Sequence, residues 1–138
     1  MKQLLFFCAL VLSVFSVHAQ TNTWTGAVNQ NWSTGGNWSL GLPTDTHDVV
    51  IPTGSTVNLN TTAAINSIDV QGTVTINMTG TLDFIATSTF SSGTTFNWST
   101  GTLTGGGTLT NNGTMILLTS SNKSIAGGTV LNNAGTLN

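Results

Sequence analysis

The fold is decided by residues 71–138, which read QGTVTINMTGTLDFIATSTFSSGTTFNWSTGTLTGGGTLTNNGTMILLTSSNKSIAGGTVLNNAGTLN. A Gly-Thr phrase recurs through this stretch, and copies at one phase begin at Gly72, Gly93, Gly113 and Gly135. A period of about 20 residues that tolerates small insertions is typical of a solenoid. Short Thr/Val/Leu runs bounded by Gly and Asn predict strands. The sequence therefore predicts an all-β fold, a parallel β-helix or β-solenoid with about 21 residues per coil.

Alternation of apolar and polar residues within each run predicts which side chains point into the core of the coil. Thr, Ser and Asn occupy the alternate positions, where like residues of successive coils can stack into ladders. Because one coil cannot bury its own apolar face, several coils must stack. We expect the core of the repeats to contain Val74, Ile76, Leu82, Phe84, Leu103, Leu109, Met115, Leu117, Val130 and Leu137.

The N-terminus has the pattern of a secretory signal peptide. Met1-Lys2-Gln3 is basic, an apolar run occupies residues 4–17, and the small residue Ala19 precedes Gln20. A charged start, a short apolar run and a small residue at the cut are the three parts of such a signal. The run is shorter than the ~20 residues that a membrane-spanning helix needs. Residues 1–19 are therefore predicted to be removed, and the protein to be secreted or held at the cell surface without membrane insertion.

The predicted mature chain is almost uncharged. It has one lysine, four aspartates, no arginine and no cysteine, and its net charge is −3 with histidine neutral. Nucleic-acid binding requires Lys and Arg for the phosphates, so this function class is excluded. No disulfide framework is available. Catalysis needs paired carboxylates, or a base beside a cation or metal, at a set separation. With four scattered aspartates, the chain is predicted not to be an enzyme and to need no cofactor.

Residues 20–52 differ in kind from the repeats. They contain Trp24, Trp32, Trp38 and both prolines, and the period of the repeats is not visible in them. An exposed end coil invites pairing with other chains, so solenoids cover their ends. We interpret residues 20–52 as an N-terminal cap, with the first strand at 48–51, and residues 53–138 as the coils. The repeats stop in mid-unit, so an apparently truncated solenoid with self-association through its open C-terminal coil is expected.

The cap carries a family resemblance. Trp24-Thr25-Gly26, Asn31-Trp32, Asn37-Trp38-Ser39, Gly41-Leu42-Pro43 and Asp48-Val49-Val50-Ile51-Pro52 resemble the opening of large bacterial secreted or surface β-helical proteins. These include adhesins and autotransporter-like passengers, particularly the repeat-rich Bacteroidetes proteins exported by the type IX route. The opening is similar, more loosely, to the start of G8-type domains. The resemblance implies an extracellular right-handed β-helix, often part of a far longer chain, with no shared catalytic residues.

Two groups of residues are candidates for a site. Exposed tryptophan rings stack on sugars, and Trp98, Trp38 and Trp32 are the carbohydrate-binding candidates. Their alternative role is packing, because tryptophan is largely buried on average. Asp45, His47 and Asp48 form the one ionisable cluster, and such side chains are ordinary metal ligands. The alternative for this cluster is a turn in which Asp side chains bond nearby backbone N–H groups.

The sequence thus favours a structural or adhesive role for a secreted or cell-surface β-solenoid segment. Its Thr and Asn face would make the contacts, and cell-surface or matrix glycans are the expected partners. A carbohydrate-binding module that uses exposed tryptophan is the first alternative. A fragment of a polysaccharide-active β-helix enzyme is the second.

Overall fold

The computed structural model describes residues 18–138, which form fifteen β-strands and one short 3-10 helix, η1 (Gly35–Asn37). Residues 1–17 of the predicted signal peptide lie outside the described residues. Within 18–138 there is no helix with the length and apolar character needed to cross a bilayer. The strands are β1 (Gln20–Thr23), β2 (His47–Ile51), β3 (Thr56–Leu59), β4 (Thr62–Ile65), β5 (Ser67–Val70), β6 (Thr75–Met78), β7 (Thr81–Phe84), β8 (Ser88–Phe90), β9 (Thr95–Trp98), β10 (Gly101–Thr104), β11 (Thr108–Asn111), β12 (Thr114–Leu117), β13 (Lys123–Ile125), β14 (Val130–Asn133) and β15 (Thr136–Leu137).

The strands assemble into three parallel sheets. Sheet 1 has the order β1-β2-β5-β8-β11-β14, sheet 2 has the order β4-β7-β10-β13, and sheet 3 has the order β3-β6-β9-β12-β15. Each strand from β5 to β12 pairs with the strands three before and three after it, so every coil adds one strand to each sheet. The predicted β-solenoid is confirmed, with about four turns of about 20 residues.

The length of a coil is not constant along the solenoid. Asn58 and Asn77 stack in successive coils at a sequence separation of 19, and Asn77 and Asn97 stack at a separation of 20. Farther along, Thr102 stacks on Ser124 at a separation of 22. The corners between strands absorb these differences, because a loop can gain a residue without shifting the paired segments.

The core is a column of side chains enclosed by the three sheets. Most strands alternate half-buried and buried residues, as a two-residue period requires. Seven of the ten predicted core residues are buried: Val74, Ile76, Leu82, Phe84, Leu103, Leu109 and Met115. Phe90, Phe96 and Trp98 join them, and the rings of Phe90 and Phe96 lie 5.1 Å apart.

The prediction for Val130 is wrong by one position. Val130 pairs with the outward-facing Thr108, and Leu131 takes the inward position opposite Leu109. The error comes from aligning the Gly-Thr phrase at 107 with that at 128, because Asn111 stacks on Asn133 at a separation of 22, one more than the phrases give. The separation is 22 both at β13, where Leu103 pairs with Ile125, and at β14, so Gly128 aligns with Gly106 and not with Gly107. The phrase at 128 therefore falls one residue early in the corner between β13 and β14.

The predictions for Leu117 and Leu137 are right in register but wrong in burial. Leu117 pairs with the buried Trp98, and Leu137 pairs with the buried Met115. The exposed fractions of Leu117 and Leu137 are nevertheless 44% and 51%, and that of Ile125 is 47%. In the described residues no coil lies beyond these side chains, so the inward positions of the end coil face solvent.

The other end of the solenoid is closed by residues 20–52. Strand β1 precedes the predicted first strand and extends sheet 1, with Gln20 opposite His47. Residues 24–46, between β1 and β2, fold over the end of the column. Trp24, Trp32 and Trp38 all belong to the hydrophobic core. The predicted cap therefore shares one core with the coils.

Two glycines mark a point where coils approach closely. Gly101 has a φ of +100°, and a Cβ at this position would overlap the carbonyl oxygen of Gly80 in the coil below. Gly80 in turn packs against the backbone of Thr61. Only a residue without a side chain allows the corners to stack at the strand spacing of about 4.8 Å.

We expect Gly101→Ala to lower the free energy of unfolding by more than the about 1–2 kcal/mol that a left-handed non-glycine residue costs, because the new methyl group also forces two coils apart. Gly54→Ala is the matched control, since Gly54 has a φ of +84° but its Cβ would meet no atom within 4 Å. Urea unfolding followed by circular dichroism measures both changes. Equal destabilisation by the two variants would contradict the close approach.

Candidate interaction surface

The outward side chains of sheet 3 form two regular rows, which we call the Thr/Asn face. Each strand places a threonine first and its next outward residue two positions later, and the strand register aligns both across the sheet. The first row is Thr56, Thr75, Thr95, Thr114 and Thr136. The second row is Asn58, Asn77, Asn97 and Ile116.

A hydrogen-bonded ladder runs along the second row. Nδ2 of Asn77 donates to Oδ1 of Asn58 at 3.0 Å, and Nδ2 of Asn97 donates to Oδ1 of Asn77 at 2.9 Å. Side-chain ladders of this kind hold a stacked sheet flat against its natural twist. The ladder therefore keeps the two rows on a level surface, with threonines repeating about every 4.8 Å along the solenoid.

The Thr/Asn face differs from the other two sheets in charge. Sheet 1 carries Asp48 and Asp69, and sheet 2 carries Asp83 and Lys123. No charged residue occurs in the described strands of sheet 3. Depletion of charge is the compositional mark of the buried centre of an interface. Of the three sheets, sheet 3 is thus the one that can be covered without desolvating a charge.

The sequence predicted Thr and Asn ladders but did not show which sheet carries them. The signal that could have done so is the triplet of Thr, an apolar residue and Asn, which occurs at 56–58, 75–77, 95–97 and 136–138. The Gly-Thr phrase hides this triplet because copies of the phrase fall on different sheets. Thr81 lies on sheet 2 and Thr108 lies on sheet 1.

The tryptophans proposed to stack on sugars are buried. The exposed fractions of Trp32 and Trp38 are 1% and 5%. Their rings meet edge to face with centroids 4.6 Å apart, and Nε1 of Trp38 donates to the backbone oxygen of Trp32 at 2.9 Å. Trp24 packs on the other side of Trp38 with a centroid distance of 4.9 Å. Their ring faces pack against one another and against the core, so they are not accessible for stacking on a sugar.

Trp98 is also a core residue. It occupies the last position of β9, stacked in register between Met78 and Leu117, and its exposed fraction is 3%. Its ring centroid lies 6.2 Å from that of Phe96. The polar neighbours Asn97 and Ser99 suggested a corner, but Asn97 is the outward residue of the same strand. Burial therefore removes Trp98 as a stacking surface.

The predicted ionisable cluster is divided among separate hydrogen bonds. Oδ1 of Asp48 accepts from Nδ2 of Asn66 and from Oγ of Ser67, both at 2.6 Å, and so ties β2 to the next coil. Nδ1 of His47 accepts from the backbone N–H of Thr44 at 2.9 Å. The described residues contain no group of three His, Cys, Asp or Glu placed to share a metal ion. The nearby backbone N–H that the turn interpretation gave to an aspartate is thus bonded by His47, while Asp48 bonds side chains of the next coil.

Comparisons with known proteins add no relative. No protein-family model, no curated protein and no solved structure matches this sequence.

We expect Asn77→Ala to lower the free energy of unfolding by about 1–2 kcal/mol, because it removes two ladder hydrogen bonds that are each worth about 0.5–1.5 kcal/mol. Asn112→Ala is the control, since Asn112 is exposed and its side chain bonds to none of the described residues. Its change should stay within about 0.5 kcal/mol. Urea titration of both variants measures the difference, and equal effects would show that the ladder contributes nothing.

Proposed function

We propose that the protein is a secreted or cell-surface structural β-solenoid without catalytic activity, and that its Thr/Asn face is adhesive. The observation that carries the proposal is the one uncharged, regular surface among the three sheets, which spans five strands. Threonine presents a hydroxyl group and a methyl group together, so each row offers both hydrogen bonding and apolar contact. An extended flat surface of this composition suits many weak, repeated contacts rather than one deep site.

The scarcity of catalytic chemistry supports a structural role. Asp48 is bonded to Asn66 and Ser67, and Asp69 accepts from the side-chain amide of Gln71 at 2.8 Å. The carboxylates of glycoside hydrolases face one another across a substrate, whereas Asp69 and Asp83 lie on different sheets. The enzyme-fragment alternative has no such pair to support it.

The predicted export supports an extracellular site of action. Strand β1 begins at Gln20, the residue that would follow cleavage after Ala19. The resemblance of the cap to bacterial surface β-helical proteins points the same way. Neutral cell-surface or matrix glycans are the proposed partners, because an uncharged hydroxyl- and amide-rich face complements hydroxyl-rich polymers.

We expect Thr75→Glu combined with Thr95→Glu to reduce adhesion severalfold, because a contact would then have to desolvate two carboxylates. The assay measures how many beads coated with the purified protein stay attached under flow to glass and to dextran-coated glass. Thr81→Glu with Thr102→Glu is the control, since these residues lie on sheet 2 in the same two coils and add the same charge. The adhesive role of sheet 3 would be refuted by equal losses from both pairs.

The end coil is a second proposed contact surface. Its inward side chains Leu117, Ile125 and Leu137 are about half exposed, and strands β13, β14 and β15 each pair on one side only among the described residues. The surface that complements them is another coil, since each internal coil covers the same features of its neighbour. The opposite end is covered by the cap. We propose that two copies of this chain associate through their end coils.

We expect the purified protein to sediment as a dimer as its concentration rises. Ile125→Lys should restore the monomer, because a charge on an open edge opposes pairing. Ile85→Lys is the control, since Ile85 is at least as exposed as Ile125 but lies in a corner between β7 and β8. Sedimentation velocity measures the outcome, and a protein that is monomeric throughout would contradict the proposal.

A further inference from the structure

A groove lies where the cap meets the first coil, away from the end coil. Its volume is about 470 Å3, and one wall comes from the cap and the other from the corner between β2 and β3. The groove has no charged residue in its lining, which lies entirely within the described residues. Its lining includes the side chains of Trp24, Asn29, Gln30, Thr53, Ser55 and Thr56.

The indole N–H of Trp24 is available at the cap wall. The ring itself is packed edge to face against Trp38, but Nε1 makes no hydrogen bond with the described residues. A Cβ on the neighbouring Gly26 would lie only 3.1 Å from Nε1. The absence of a side chain at Gly26 therefore keeps this donor uncovered, and packing against Trp38 fixes its position.

Two side-chain amides lie on the same wall as the indole, and hydrogen bonds fix the segment that carries them. Oδ1 of Asn29 accepts from the N–H of Asn31 at 2.8 Å and from Nδ2 of Asn37 at 2.9 Å, which leaves its own amide N–H groups free. The backbone carbonyl of Gln30 accepts from the N–H of Asn58 at 2.7 Å. The Gln30 side chain has no partner among the described residues, so the cap wall presents several unsatisfied donors and one amide acceptor.

Three hydroxyl groups form the opposite wall. Oγ1 of Thr53 accepts from the N–H of Thr73 at 3.0 Å and keeps its own proton for another acceptor. The carbonyl of Ser55 accepts from the N–H of Thr75 at 3.0 Å, so the backbone beneath its hydroxyl is fixed. The hydroxyls of Ser55 and Thr56 bond to no described residue.

We infer that this groove binds one or two sugar rings of a neutral glycan. The surface is concave and uncharged, and amides, hydroxyls and an indole N–H line it. These groups match a ligand whose hydroxyl groups both donate and accept hydrogen bonds. Phosphate or sulfate would find no cation here, and a metal ion would find no carboxylate. The inference assigns glycan recognition to groove side chains in place of the buried Trp32, Trp38 and Trp98. It is independent of the adhesive role proposed for sheet 3, although Thr56 belongs to both surfaces.

The test is titration calorimetry of the purified protein with five neutral trisaccharides: cellotriose, maltotriose, laminaritriose, xylotriose and triacetylchitotriose. We expect at least one to bind at millimolar concentration or below. Gln30→Ala with Ser55→Ala should weaken that binding about tenfold or more, the loss expected from removing two polar contacts. Gln71→Ala with Ser92→Ala is the matched control, because both residues are exposed in the corners that follow β5 and β8, and it should leave the affinity unchanged.

A second variant separates the site from the fold. Trp24→Phe removes the indole N–H while keeping an aromatic ring against Trp38, and it should weaken the same trisaccharide even where the melting temperature is preserved. Thr95→Glu with Thr114→Glu alters the Thr/Asn face two and three strands away from Thr56 and should keep full trisaccharide affinity, so failure of the adhesive proposal and failure of the groove are distinguishable. Absence of binding by all five sugars, or equal binding by the groove and control variants, would overturn the inference.

Discussion

Backbone hydrogen bonding between successive coils is the interaction on which the rest of the structure depends. It fixes the coil spacing at about 4.8 Å and admits no residue that would widen it. The Cβ that Gly101 lacks would occupy the position of the Gly80 carbonyl oxygen. The same spacing brings Asn58, Asn77 and Asn97 within hydrogen-bonding distance of one another. Regular rows on the surface are thus a consequence of regular pairing beneath it.

The two ends of the stack meet this constraint differently. At the N-terminal end, the tryptophan cluster covers the apolar column, and Trp38 joins the cluster through its contacts with Trp24 and Trp32. At the other end, Leu117 and Leu137 keep the inward register without a coil to cover them. Because parallel pairing can continue at both ends of a stack, every solenoid has two end coils whose apolar side chains and strand edges need covering. Among the described residues, only the N-terminal end is covered.

Low charge gives the surface its chemical character. The aspartates and the lysine of the described residues sit on sheets 1 and 2 or in the turn before β2, and hydrogen bonds occupy Asp48 and Asp69. What remains on sheet 3 and in the groove beside the cap is neutral: hydroxyls, amides and one indole N–H. Such groups exchange hydrogen bonds with water at little net gain. Recognition by this protein would therefore rest on many aligned contacts or on a concave arrangement, and not on a strong single bond.

Three local patterns sufficed to predict the solenoid and most of its core. They are the recurrence of the Gly-Thr phrase, the alternation within Thr/Val/Leu runs and the aromatic cap. Only the tertiary structure decided which residues of each repeat point into the core. The reason is that corners of different length change the offset between the Gly-Thr phrase and the paired strands. The pairing of β14 with β11 thus put Leu131 inside and Val130 outside, although the Gly-Thr phrase predicted the reverse. The tertiary structure also decided that Trp98 is buried, since its stacking on Met78 depends on the register between two successive coils. The groove joins segments that are far apart in sequence, and only the packing of the cap on the first coil brings them together.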